Sequence, residues 1–197
     1  MRTLSIVLVV AALSARSAAA QWYVGLELGV AHYHGSAHDT SNGGGPDSFR
    51  PGDAASIGVR LGRQMGRIGL AVRASYGIPG IGAAGQDLTI TDRSTGALVE
   101  VTPVVAVRLT SAGLGSAVRA EIGPTLHLWR LSDEVRSRLG ALGALAYDWP
   151  IVARWSGAIR AEATVSPSWW NAGDLPPEYE RRPTWRYGMS VGFTYRL

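Results

Sequence analysis

From Thr184 to Leu197 the side chains alternate without a break. Trp185, Tyr187, Met189, Val191, Phe193, Tyr195 and Leu197 fall on one parity, and Arg186, Gly188, Ser190, Gly192, Thr194 and Arg196 on the other. Successive side chains of a strand point to opposite faces, so this period of two predicts a strand with one apolar face and one face that is small or cationic. Similar alternation predicts strands over 21–33, 54–65, 68–77, 97–109, 118–128, 139–149 and 155–166. The segment 139–149 is apolar on both faces and also fits a helix, but its glycines and its place between strands favour a strand. Pro103 and Pro124 each remove a ladder hydrogen bond, which predicts a bulge or weak point in their strands.

The connections sort by length. Those at 66–67, 110–116 and 150–151 are short, while 35–53, 78–96, 130–138 and 168–183 are long. Strict alternation puts the short turns and both termini at one rim and the long loops at the other. Segment 35–53, with Asn42-Gly-Gly-Gly-Pro46, reads as polar loop without a folded alternative, and it lacks the Lys-Ser/Thr of a phosphate loop. Residues 87–91 could extend a hairpin above 78–96. Aromatic residues sort too. Trp22, Trp149, Trp155 and Tyr195 fall near the short-turn rim, and Tyr76, Trp185 and Tyr187 near the other, as two membrane girdles would. The pattern predicts an all-β fold, an eight-stranded antiparallel up-and-down transmembrane β-barrel in which 184–197 closes against 21–33.

Composition narrows this reading. The chain has 197 residues, 25 glycines, no cysteine and a formal charge of +4, and every basic residue is arginine. Met1-Arg2, the apolar run Leu4–Leu13 and Ala18-Ala-Ala20 predict a secretory signal peptide over 1–20, with Sec-dependent export and one barrel domain over 21–197. The apolar run is shorter than the ~20 residues that a membrane helix needs. Loss of Arg2 and Arg16 would lower the charge to about +2, and the other arginines are dispersed, which argues against nucleic acid as a partner. Lack of cysteine excludes disulfides and thiolate metal sites, and no cofactor is indicated.

The inward parity collects Glu27, Arg60, Arg73, Glu100, Arg108, Arg119, Glu121, Arg160, Glu162 and Arg186. Eight strands enclose only enough room for side chains. An unpaired buried charge there costs several kcal/mol, so these groups are expected to pair into a lumen charge network rather than line a pore.

Signal peptide, strand count, loop sorting and inward Arg/Glu set together resemble the small eight-stranded outer-membrane barrels, the OmpA transmembrane domain and OmpX-like family. The resemblance implies a monomer in the bacterial outer membrane that contacts outer-membrane lipids and lipopolysaccharide. It also implies recognition by the barrel-assembly machinery through the C-terminal strand. Met189, Val191, Phe193 and Tyr195 match that family's sorting alternation, and Leu197 stands where its members usually have phenylalanine.

Two sets of residues invite other chemistry. His32 and His34 share a face, with His38-Asp39 beyond, but that face is the outward one, so they read as interfacial or loop histidines rather than metal ligands. His127 faces inward near Glu121, with Ser132-Asp133 close in sequence, and reads as a hydrogen-bonded lumen histidine. Some outer-membrane barrels that resemble this chain are lipid A deacylases with a serine two residues after the histidine, a position that Trp129 holds here. The readings left open are a non-enzymatic barrel acting through its loops, a lipid A-modifying enzyme, a small channel, and a soluble periplasmic barrel with its faces reversed.

Overall fold

The computed structural model describes residues 20–41, 46–84, 89–92, 96–111, 115–131, 134–171 and 173–197. The predicted signal peptide, apart from Ala20, lies outside them, as do Asn42–Gly45, Asp87-Leu88 and Ser132-Asp133. Eleven strands run in chain order: β1 (Ala20–Asp39), β2 (Ser48–Pro51), β3 (Ala54–Met65), β4 (Ile68–Gly77), β5 (Ile81–Ala84), β6 (Thr89–Asp92), β7 (Gly96–Ser111), β8 (Ala117–Leu131), β9 (Val135–Val152), β10 (Trp155–Ser166) and β11 (Tyr179–Arg196). Eight of them form an antiparallel ring in the order β1-β3-β4-β7-β8-β9-β10-β11, and β11 pairs back onto β1. Closure leaves this ring without a free edge. The small strands β2, β5 and β6 continue from β1 as an outgrowth at the long-loop rim.

Several boundaries differ from the alternation. Segment 35–53 is not all loop, because β1 passes His34 and continues to Asp39. Gly35 and Ser36 both take positive φ, 81° and 95°, and absorb a register shift against β11 as a bulge. Segment 130–138 is mostly strand, with His127↔Arg138 through Arg130↔Val135 extending the β8–β9 ladder, and β11 begins at Tyr179, inside the expected loop 168–183. Backbone pairing needs no apolar side chain, so these strands outrun the hydrophobic alternation. The prolines mark a weak point without a bulge. Pairing of β7 with β8 lapses between Val101↔Leu126 and Val105↔Ile122, yet both sides keep one register.

The wall is apolar outside and polar inside. Leu28 and Leu139 are 66% and 68% exposed, while Arg60, Glu121 and Thr164 are buried. The 139–149 segment is strand, with Leu142 and Ala146 buried and Leu145 and Tyr147 exposed.

The bulge yields a stability test. A Cβ on Gly35 would sit 2.2 Å from the Pro183 carbonyl oxygen, whereas one on Gly66, also at positive φ, would meet nothing within 4 Å. Gly66→Ala should cost about 1–2 kcal/mol from its left-handed backbone alone. Gly35→Ala should cost clearly more, since Pro183 must also move. Urea midpoints of the protein refolded in detergent compare the two, and equal shifts would refute the role given to the bulge.

Candidate functional site

The interior is built in three layers, set by which inward residues are long and which are short. Glu27 lies between Gly58 and Gly192 on its neighbouring strands, Glu162 between Ala144 and Gly188, and Glu121 between Ala106 and Ala144. Small residues beside each carboxylate leave room for arginines from farther strands to reach it.

The middle layer is an ion-pair network. Glu27 lies 2.8 Å from Nε of Arg73, 2.6 Å from Nη1 of Arg160 and 3.9 Å from Nη1 of Arg60. Glu121 accepts both Nη groups of Arg60, at 3.0 and 2.9 Å, and Nε of Arg160 at 3.1 Å; Arg119 is 3.5 Å away. Glu162 bridges Arg73 at 2.7 Å and Arg186 at 2.6 Å. Glu100 meets Arg186 at 3.0 Å and accepts from Ser75 Oγ at 3.1 Å. Arg119 reaches Asp148 at 2.6 Å. Nine of the ten inward residues named from sequence are thus joined. The tenth, Arg108, lies at the short-turn mouth and makes no ion pair among the described residues.

His127 requires a correction. Its Nε2 lies 3.1 Å from Glu100, not beside Glu121, because the β7–β8 register sets Glu100 directly opposite it. His127 is also 3% exposed and sits beneath an aromatic layer.

That layer fills the long-loop end of the lumen. Trp129 packs against Tyr33 at 6.1 Å and against Trp169 at 5.1 Å between ring centroids, and Trp169 against Trp170 at 4.8 Å. Trp129 and Trp169 are each 1% exposed. Segment 167–170 is held over the lumen by polar bonds. Ser168 Oγ donates to the carbonyl of Ser36 at 2.7 Å, and Arg138 donates to the carbonyls of Ser168 and Trp169 at 2.8 and 3.1 Å. The bulge at Gly35-Ser36 thereby presents the carbonyl that anchors this segment. Arg136 adds contacts to Glu134 at 2.7 Å and to Asp174. Its hydrogen bond holds the Glu134 carboxyl below the ordinary range.

Sequence reasoning missed three contributors. Asp148 continues the inward parity of Leu142, Ala144 and Ala146, and Trp129 continues that of His127, so alternation could have found both. Trp169 lies outside any strand and carries no periodic signal. On the outer wall, Trp22, Trp155, Tyr76, Trp185 and Tyr187 are exposed and Trp149 and Tyr195 partly so; Trp155 contacts Tyr195 at 5.1 Å, and Trp185 stacks on Tyr187 at 6.2 Å. His32 lies 2.9 Å from Asp53, and among the described residues no group of three or more His, Cys, Asp or Glu could hold a metal. Burial raises the Asp53 carboxyl, but the His32 hydrogen bond and the Arg50 charge outweigh it and leave the group below its ordinary range.

No family model and no curated protein matches the chain. Solved structures do. Neisserial surface protein A is 10% identical, with 89% of this chain and 97% of that one covered at a TM-score of 0.55. The outer membrane protein OprG from Pseudomonas aeruginosa is 11% identical over 91% and 96%, with a TM-score of 0.57. A major outer membrane protein from Thermus thermophilus is 14% identical over 89% and 99%, with a TM-score of 0.51. At such identities the likeness is one of fold, that of the eight-stranded outer-membrane β-barrel.

Neutralising Glu121 tests the network. Glu121→Gln leaves Arg60, Arg160 and Arg119 short of a buried counterion and should cost about 3–5 kcal/mol. Glu134→Gln at the exposed rim should move the urea midpoint little. Comparable small shifts in both would show that the interior charges are solvated rather than paired.

Proposed function

We propose that this chain is a non-enzymatic integral protein of the bacterial outer membrane, exported by the Sec route, with a lumen that acts as a structural plug and a long-loop rim that makes its contacts. The observation that carries the reading is the inverted wall. Val24, Leu26, Leu28 and Val30 on β1 and Met189, Val191 and Phe193 on β11 all face outward and are exposed, while Glu27, Arg160 and Glu162 are buried inside. In water such a surface would be an uninterrupted apolar band, whereas in a bilayer it is the expected outer face of a barrel. The same inversion speaks against a soluble barrel with its faces reversed. The exposed aromatics near both rims would sit at the two interfaces as girdles.

The filled lumen supports a plug over a channel, since paired charges and the tryptophan layer occupy the path in series. It also speaks against lipid A chemistry at His127, which faces Glu100 inside the wall, away from any lipid surface. At the long-loop rim, a groove of about 650 Å³ is lined by Arg138, Trp170, Arg181 and Arg182 among others. Cations beside an aromatic ring suit the anionic sugars and phosphates of lipopolysaccharide, and function would reside at this rim as adhesion, surface protection or envelope contact. The C-terminal strand would be the handle for the assembly machinery, and the closed ring acts as a monomer.

Fractionation and electrophoresis test the membrane reading. The protein should enter the outer-membrane fraction and migrate faster before boiling than after; recovery in the soluble fraction would overturn it. Folded protein in planar bilayers should give no steady single-channel steps, and reproducible steps would replace the plug with a pore.

A further inference from the structure

The short-turn mouth of the barrel holds a cavity of about 450 Å³, lined by Arg108, Arg119, Arg196, Asp148, Ser156 and Thr194 among others. Its charge is unbalanced in a way that the rest of the interior is not. Two pairs of arginines stand directly opposite one another on adjacent inward positions, Arg60↔Arg73 and Arg108↔Arg119. Like charges so placed repel. The first pair is relieved by carboxylates, since Glu27 and Glu121 serve Arg60, and Glu27 and Glu162 serve Arg73. In the second pair only Arg119 is served, by Asp148 and Glu121. Arg108 has no ion pair among the described residues, and its Nε is buried without a hydrogen-bond partner. Arg196, at the end of β11, adds a further cation from the facing wall of the same cavity.

We propose that this mouth is a binding site for a small oxyanion, a carboxylate or a phosphate, held by the Arg108 guanidinium, with Arg196 lining the cavity from the facing wall. A guanidinium offers parallel N–H donors that match the two oxygens of such a group. An anion lodged there would relieve the Arg108–Arg119 repulsion as Glu27 relieves that of Arg60 and Arg73. Ser156 and Thr194 supply hydroxyls on the facing wall. The site is separated from the long-loop rim by the charge network and the tryptophan layer, so a ligand reaches it only from the side of the short turns and termini. It rests on the mouth geometry alone, and its failure would leave the proposed plug untouched.

Calorimetric titration of the folded protein in zwitterionic detergent at low salt, with citrate in one arm and inorganic phosphate in the other, tests this. Saturable one-to-one binding in at least one arm is expected, and the tighter arm names the chemistry. Arg108→Gln should weaken it at least tenfold, whereas Arg130→Gln, an exposed charge at the opposite rim and outside the groove there, should not change it. No saturable binding in either arm, binding by Arg108→Gln within twofold of the parent, or loss in the opposite-rim variant would each overturn the proposal. Should Arg108→Gln fail to fold, phenylglyoxal labelling of the parent protein read by mass spectrometry decides instead. Arg108 should be modified in the free protein and protected by the bound anion, and modification unchanged by the anion would count against the site.

Discussion

Glu27 lies within ion-pairing reach of Arg60, Arg73 and Arg160, which come from three different strands. That arrangement expresses the constraint on which the rest of the interior depends. A ring of eight strands has no room for bulk water along its axis, so an inward charge must find its counterion among side chains of the wall itself. The glycines and alanines beside Glu27, Glu121 and Glu162 follow from this. They leave the space that the glutamate side chains occupy, as at Gly192, where a Cβ would come within 3.1 Å of the Glu27 Cγ.

The same constraint orders the lumen from end to end. Where both signs are present in matching number, the groups interlock into one network running from Asp148 to Glu100. Toward the long-loop rim the charges give way to Tyr33, Trp129 and Trp169, and the carbonyls of the segment that carries Trp169 are taken up by Arg138. Toward the short-turn rim the matching ends with Arg108, and there the lumen opens into a cavity.

Strand parity made much of this legible. Alternation alone put Arg60, Glu121 and His127 on one side of the wall and Leu28, Val59 and Phe193 on the other, because the side-chain direction of a strand is a local property. Closure of β11 on β1 was legible too, from the length sorting of the connections. The extra turns of strand were not: β8, β9 and β11 continue through Arg130, Arg136 and Arg181, where polar side chains carry no period and only backbone pairing holds the ladder.

The sequence by itself determined the fold class, the strand count of the ring and the face on which each strand residue lies, since these follow from a period of two and from turn chemistry. Only the tertiary structure decided who meets whom. That His127 faces Glu100 rather than Glu121, that Arg119 takes Asp148 while Arg108 is left over, and that Trp169 is folded onto Trp129 all depend on strand register and on a segment outside the strands. Register relates residues on different strands, so no pattern within one strand encodes it.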